Sequence, residues 1–195
     1  MAKVNEHTRP DKEALAPKKT GEADRFGKLL LAGSAEEDIA AYDRGVLKEA
    51  AALAWHALKK HRAGASVVAV DNDRRMVREG RPLTAITVVN DNMPFLFDSV
   101  LGEIADAAGS PTLVTHPIIA VKHGRSGVTG LADGKADERT SDKVSVIHVH
   151  VARLGDDEAA ALQKRLEWIL SQVRASVRDW RAMLARSDAM YSGSS

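Results

Sequence analysis

The sequence lacks cysteine altogether, and long apolar runs are missing as well. Without cysteine, the 195-residue chain has no disulfide framework, no thiolate nucleophile and no sulfur-ligated metal site. Its apolar stretches fall far short of the ~20 residues that a membrane-spanning helix needs, and no signal-peptide core is visible near the first methionine. These absences are typical of a soluble protein in a reducing compartment. We therefore expect a cytoplasmic protein that does not interact with a membrane.

The chain also has almost no net charge. It carries 28 basic and 27 acidic residues, a formal charge of +1. Such a balance excludes the strong field that would recruit nucleic acid, and the short basic runs KKHR and RRMVR lack interleaved aromatic residues. We expect no nucleic-acid partner. The length suits one globular domain with a tail or an extra helix.

Hydrophobic periodicity divides the chain into helices and strands. Ser34 and Glu37 have the spacing of a capping box, which predicts a helix from about Ala35 to His61 with a break near residues 43–45. A long polar loop with four glycines separates the last two strands. The predicted strands are 66–72, 83–91, 112–123 and 143–154, the other helices are 94–108 and 155–186, and the loop is 124–142. Pro117 predicts an edge or a bulge within the third strand.

From Thr84 onward the predicted order is strand, helix, strand, strand, helix. Two helices covering one face of a four-stranded antiparallel sheet make a split βαβ, or ferredoxin-like, α+β fold. The strand at 66–72 is expected to lie beside the strand at 83–91. An N-terminal helix and a long C-terminal helix are additions to this plan.

Composition suggests three regions along the chain. Residues 1–34 are rich in Lys, Glu, Pro and Gly and are expected to be mostly disordered, apart from a short docking helix around Phe26 and Leu30. Residues 35–174 form the predicted domain. Residues 175–195 are predicted to be a helical extension towards a following domain, because the last helix would span roughly 45 Å, longer than a small sheet needs, and its apolar stripe continues along it. The stripe consists of Leu162, Leu166, Ile169, Val173, Val177, Trp180 and Leu184.

The stretch VVNDNMPFLFDSV places three polar residues between an apolar strand and an apolar helix. A structural explanation is available, because Asn92 can cap the helix, Pro94 suits its first turn and Asp98 lies near its positive end. A helix N-terminus also accepts anions, so a ligand-binding role stays open. The candidate ligand-binding residues are Asn90, Asp91, Asn92, Pro94, Asp98 and His116.

Two histidines in the last strand are the other candidates for chemistry. His148 and His150 point to one face, and His116 would give the third nitrogen of a zinc site. The alternative is ordinary polar packing, which we favour because no carboxylate has a telling spacing. Val144 and Val146 share that face, so it should be covered by the helix ending at His61, a partner chain or another domain. The sequence places no histidine and aspartate beside a serine in the manner of a catalytic triad, and we predict no catalytic residue.

A family resemblance follows from these motifs. The blocks NDNMPFLFDS, LVTHPIIAVKHG, SVIHVHV and VRASVRDWRAMLAR resemble the N-terminal, ACT-like region of the large bacterial NAD-specific glutamate dehydrogenases. The resemblance implies a non-catalytic regulatory or assembly domain. It also implies a parent enzyme that converts L-glutamate, NAD and water to 2-oxoglutarate, ammonia and NADH. No cofactor is then expected in this chain, and its partners would be other domains or subunits and an amino-acid effector.

One position departs from the pattern of amino-acid-binding ACT domains. Many of those domains have glycine directly after the turn proline, whereas here Phe95 follows Pro94. A side chain at that position disfavours a close approach of a ligand to the backbone.

Two hypotheses of other classes stay open beside this one. The first is a free-standing ferredoxin-like module that binds a ligand or a protein, and the second is a small metal-dependent enzyme built on the histidines. The length of the native reading frame discriminates between the dehydrogenase domain and the free-standing module. A far longer frame with a downstream Gly-x-Gly-x-x-Gly segment favours the dehydrogenase, and a stop after Ser195 favours the module.

Overall fold

The computed structural model describes residues 21–192 of the chain. A twisted antiparallel sheet lies between two layers of helices. The elements are α1 (Glu22–Leu31), α2 (Glu36–Ala40), α3 (Arg44–Lys60), β1 (Ser66–Asp71), β2 (Val77–Arg78), β3 (Arg81–Asp91), α4 (Leu96–Ala108), β4 (Leu113–Thr115), β5 (Ile118–Gly124), β6 (Gly127–Leu131), α5 (Gly134–Thr140), β7 (Asp142–Ala152) and α6 (Asp156–Ser192).

Strand β7 is the centre of the sheet. The main strand order is β1-β3-β7-β5-β6, while β4 also pairs with β7 and the short β2 pairs with β3. Each pairing between described strands is antiparallel. β7 is buried because it has neighbours along both edges, β3 on one side and β4 and β5 on the other. The predicted α+β, ACT-like fold is confirmed, including the place of β1 beside β3.

Alternation along β7 divides its side chains between the two helical layers. Ile147, Val149 and Val151 pack against α4 and α6, and the opposite-facing Val144 and Val146 pack against α1 and α3. Of the three predicted covers for the second face, the N-terminal helices are therefore the correct one. α1 is the predicted docking helix, and its Phe26 and Leu30 are buried in this layer.

Pro117 interrupts the third predicted strand, as expected. The structure ends β4 at Thr115 and resumes with β5 at Ile118, and both segments pair with β7. The carbonyl of Pro117 still accepts a hydrogen bond from the Val146 N–H at 3.0 Å. The register against β7 is the same on both sides of the proline, since Thr115 pairs with His148 and Ile118 with Ser145. The proline thus interrupts the strand without shifting it along β7.

The predicted polar loop 124–142 is wrong. The segment contains strand β6 and helix α5, and Val128 and Leu131 are buried beneath α1 and α3. A turn at Gly124–Gly127 reverses the chain, and Gly127 has φ +140°. A Cβ at Gly127 would lie 2.2 Å from the Lys59 carbonyl oxygen, so the close approach of β6 to the end of α3 requires glycine there.

The capping box is also absent. α2 begins at Glu36 and the predicted break before α3 is present, but the N-cap is Ala35, without a side-chain hydrogen bond. The Ser34 hydroxyl is buried and has no hydrogen-bond partner among the described residues. The start of the helix was thus predicted correctly for the wrong reason.

Helix α6 packs on the sheet through its first half only. Leu162, Leu166 and Leu170 are buried, whereas Ile169 is half-buried, so the contact follows steps of four rather than the predicted four and three. Val177 is the last buried residue among those whose side chains are described. The helix continues for 37 residues in all, about 55 Å at ~1.5 Å per residue. Despite this length, no described helix is apolar enough to cross a membrane.

Candidate functional site

The turn between β3 and α4 has a different geometry from the one predicted. β3 ends at Asp91, and the N-cap of α4 is Phe95 in the left-handed conformation, φ 64°, with no side-chain cap. The predicted cap by Asn92 is therefore wrong, and its backbone N–H donates to the Lys143 carbonyl at 3.1 Å. Pro94 precedes the N-cap instead of occupying the first turn. Asp98 lies in the first turn, where the helix dipole favours an acidic residue.

Asn90 and Asp91 are held by an arginine from α6. The Arg174 guanidinium donates to Asn90 Oδ1 and to Asp91 Oδ2, the latter at 3.4 Å, and also to the Ser66 hydroxyl at 3.0 Å. Ser66 in turn donates to Asn90 Oδ1 at 2.7 Å, and the Gly64 N–H donates to Asp91 Oδ2 at 2.8 Å. These bonds fasten α6 to the end of β3. Sequence reasoning missed Arg174, because nothing local indicates a partner more than eighty residues away.

A row of histidines extends from Asp91 at the end of β3 to Asp142 at the start of β7. His61 is fully buried at the end of α3, with Nε2 3.5 Å from Asp91 Oδ1 and Nδ1 3.0 Å from His123 Nε2. His123 Nδ1 lies 2.7 Å from Asp142 Oδ2. Burial lowers the pKa of His61, and the Asp91 carboxylate opposes that shift. The row connects α3, β3, β5 and β7 through polar contacts.

His116 lies across β7 from Asn90, because it bonds to Ser145, the residue of β7 that pairs with Asn90 of β3. Its Nε2 is 2.8 Å from the Ser145 hydroxyl, and its ring is stacked on Phe97, with centroids 4.5 Å apart. Burial lowers the pKa of His116, and Asp98 opposes the shift through its charge. A cavity of about 290 Å³ adjoins this pair and is lined by Phe97 and His116. Of the six candidate residues, Asn90, Asp91 and Asn92 lie beside α6, Asp98 acts on His116 through its charge, and Pro94 lies in the turn before α4. Ser145 connects the first set to His116, since it pairs with Asn90 and bonds to His116.

His148 and His150 form a buried polar row with Thr87 and Tyr42. Thr87 Oγ1 lies 2.9 Å from His148 Nδ1, His148 Nε2 lies 2.9 Å from His150 Nε2, and His150 Nδ1 lies 3.1 Å from the Tyr42 hydroxyl. Burial lowers the pKa of His148 well below its ordinary value and that of His150 to about 4. His116 is engaged elsewhere, and residues 21–192 contain no cluster of three His, Asp or Glu side chains suited to a metal ion. The arrangement packs and orders the core.

The outer side of the turn opens onto a basic stripe of α6. A cavity of about 300 Å³ is lined by Asp91, Asn92 and Met93 on one side and by Arg174, Arg178 and Arg181 on the other. An anionic group is the ligand that this lining would accept best. Of the predicted ligand-binding residues, Asp91 and Asn92 line this cavity. The three arginines of α6 that lie opposite them were not predicted.

An antiparallel sheet with α4 and α6 on one face, and a strand-to-helix turn at its edge, defines an ACT-like α+β domain. The family described as "Glutamate dehydrogenase, ACT1 domain" matches residues 26–166, and the chain belongs to that family. The match extends from α1 into the first third of α6. No curated protein and no solved structure matches the chain.

Proposed function

We propose that the chain is a non-catalytic assembly and regulatory domain of an NAD-dependent glutamate dehydrogenase. The parent enzyme would convert L-glutamate, NAD and water to 2-oxoglutarate, ammonia and NADH in the cytoplasm. Membership of the ACT1 family supports this proposal. The observation that carries the assembly role is α6, which continues past Val177, the last buried one of its described side chains, and presents Trp180 and Leu184 about half exposed.

The described residues do not fit a dinucleotide. A dinucleotide-binding fold of the Rossmann type needs parallel strands joined by a helix and a glycine-rich turn at its N-terminus. Here β3 is followed by the turn Asn92–Phe95 without glycine, and the described strands pair antiparallel. The buried histidines are bonded to one another and to hydroxyl groups. We therefore assign NAD binding and hydride transfer to another part of the parent enzyme.

A regulatory ligand would bind at the strand-to-helix turn. The cavity between Asn92 and Arg178 offers amide and guanidinium groups, which suit the carboxylate of an amino-acid effector. Phe95 keeps the left-handed backbone that glycine adopts most easily, and its ring is directed away from the core, 72% exposed. The side chain that replaces glycine is therefore not buried in the turn.

The experiment compares three proteins from the native reading frame that contains the chain. The whole product, the chain alone and the product without residues 21–186 are purified and mixed with glutamate and NAD. We expect NADH formation from the whole product, none from the chain alone, and a changed assembly state or effector response after the deletion. Turnover by the chain alone would overturn the proposal. A reading frame that stops after Ser195 would favour the free-standing binding module instead.

A further inference from the structure

Two aromatic rings flank a groove between the start of α4 and the second half of α6. Phe95 and Trp180 line this groove together with Val173 and Val177, and its volume is about 400 Å³. Phe95 is 72% exposed and Trp180 is 50% exposed. One exposed apolar side chain is ordinary for a protein surface, but two large rings on either side of one depression form a patch of the kind that binds partners.

The backbone of Phe95 favours a role for its ring outside the core. Its φ of 64° is unfavourable for a bulky residue. The next residue, Leu96, is the one that enters the core. The turn therefore has an unfavourable backbone conformation at a residue whose ring the domain itself does not bury.

A basic rim borders the groove. The neighbouring cavity shares Val177 with the groove and is lined by Arg174, Arg178 and Arg181. Arg174 is engaged by Asn90 and Asp91, whereas the one ion pair of Arg178 within residues 21–192 is with its exposed neighbour Asp179, at 3.7 Å. Arg181 makes no ion pair within the described part of the chain. Two guanidinium groups are thus available beside the apolar groove.

Charge disfavours two candidate occupants of the groove, namely a second copy of α6 and residues 1–20 of the chain. Residues 172–186 carry four arginines and one aspartate, so two copies of this part of α6 would repel each other. Residues 1–20 carry five basic and three acidic side chains and would also meet the rim with like charge. A complementary occupant has to be acidic as well as apolar.

We propose that the groove binds an acidic amphipathic helix from another domain or subunit of the parent enzyme. An apolar side chain of that helix would lie between Phe95 and Trp180, and its carboxylates would meet Arg178 and Arg181. Helix-in-groove recognition has this form, in which spaced apolar anchors give affinity and flanking charges give specificity. The proposal rests on the assembly role argued above and names the chemistry of the partner surface.

The test uses two fluorescein-labelled peptides of about 18 residues, long enough to form a helix. Both carry leucines at steps of three and four on an alanine background. One has glutamates beside the leucine stripe and the other has lysines at the same positions. Fluorescence anisotropy with the 195-residue chain should show tighter binding of the acidic peptide, weakening as ionic strength rises from about 0.05 to 0.5 M.

Substitutions in the groove and its rim then separate the two contributions. Trp180→Ala should weaken binding of the acidic peptide at least ~10-fold. The double change Arg178→Glu/Arg181→Glu should reverse the preference, so that the lysine peptide binds more tightly. Trp168→Ala is the matched control, because Trp168 is 61% exposed on the same helix but does not line the groove. Circular dichroism melting confirms that each variant is folded.

Three outcomes would overturn the proposal. They are equal or absent binding of the two peptides, binding that survives Trp180→Ala, and a dimer in sedimentation equilibrium that Trp180→Ala dissociates. The last result would assign the groove to a second copy of the chain. The measurements need neither glutamate nor NAD, so their failure is distinct from failure of the catalytic test of the proposed function.

Discussion

His148 Nε2 lies 2.9 Å from His150 Nε2, so one of the two rings has to donate and the other accept. The Thr112 hydroxyl donates to the His150 carbonyl at 3.3 Å, which leaves its oxygen to accept from the Tyr42 hydroxyl. Tyr42 then accepts from His150 Nδ1–H, and His150 Nε2 accepts from His148 Nε2–H. This order gives each group a partner with both rings neutral, and we assign these tautomers on that basis.

The first prediction is a loss of stability in acid. The folded-state pKa of His150 is about 4 and that of His148 is lowered further, against an ordinary value of 6.5, because burial disfavours the charged form. As the pH is lowered, the unfolded chain therefore binds protons at a higher pH than the folded chain does. The free energy of unfolding should keep the whole contribution of these histidines above about pH 7 and should fall as the pH decreases from 6.5 to 4. Urea unfolding at a series of pH values measures this slope.

The lowered pKa values of His61 and His116 add to the same slope. His116→Gln therefore serves as the control, since it removes a partly exposed ring and should leave most of the dependence in place. His150→Gln should reduce the slope more, because it removes a buried ring. A free energy of unfolding that stays constant from pH 7 to 5 would contradict the neutral assignment.

The second prediction concerns Tyr42. Tyr42→Phe removes the hydroxyl that accepts from His150 and donates to Thr112, and it leaves a buried N–H without a partner. Such a loss costs about 1–3 kcal/mol of unfolding free energy. Thr112→Val should cost less, since Thr112 is only half-buried. Equal unfolding midpoints for Tyr42→Phe and the unsubstituted chain would show that the polar row of Thr87, His148, His150 and Tyr42 is not formed.

The third prediction concerns the fastening of α6. Arg174→Ala removes donors from Asn90, Asp91 and Ser66, and we expect a loss of about 1–3 kcal/mol, tempered by partial solvent exposure of the guanidinium. Arg174→Lys should recover only part of it, because an ammonium lacks the planar fork. Arg178→Ala is the matched control on the same helix and should change stability by less than ~0.5 kcal/mol. If the two alanine variants lost the same free energy of unfolding, the bonds from Arg174 to Asn90, Asp91 and Ser66 would not be what fastens α6.

These residues also show what the sequence could predict. The strands β3 and β7 and the break at Pro117 follow from local periodicity and from the missing N–H of proline, so they were predicted correctly. β6 was missed because its two glycines and one threonine obscure the alternation of its buried apolar side chains, Val128 and Leu131. Arg174 and Tyr42 belong to contacts between residues far apart in the chain. The identity of such partners depends on the whole fold, and no local spacing encodes it.

The candidate ligand residues illustrate the same limit. Asn92 was expected to cap α4, but the chain bonds its backbone to Lys143 on β7 and begins the helix three residues later than a cap at Asn92 would require. Tertiary pairing therefore overrode a local preference. The division of the chain at residues 34 and 174, and a ligand role for Asn90, Asp91, Asn92, Pro94, Asp98 and His116, stay predictions.

The last prediction compares two glycines in opposite situations. Gly127→Ala would place a Cβ 2.2 Å from the backbone oxygen of Lys59, at a φ of +140° that alanine rarely adopts. Because the obstacle is backbone and cannot rotate away, β6 or the end of α3 would have to move. We expect a loss of more than ~1 kcal/mol in the free energy of unfolding.

Gly102→Ala is the matched control, because Gly102 lies inside α4 with no neighbouring atom within 4 Å of the added Cβ. Alanine there should stabilise the helix by roughly 0.5–1 kcal/mol, since glycine has the greater conformational entropy in the unfolded chain. Thermal melting of the two variants should thus move in opposite directions. If Gly127→Ala had the same melting temperature as the unsubstituted chain, the contact between β6 and α3 would not exist as described. The segment 124–142 would then be the open loop that the sequence suggested.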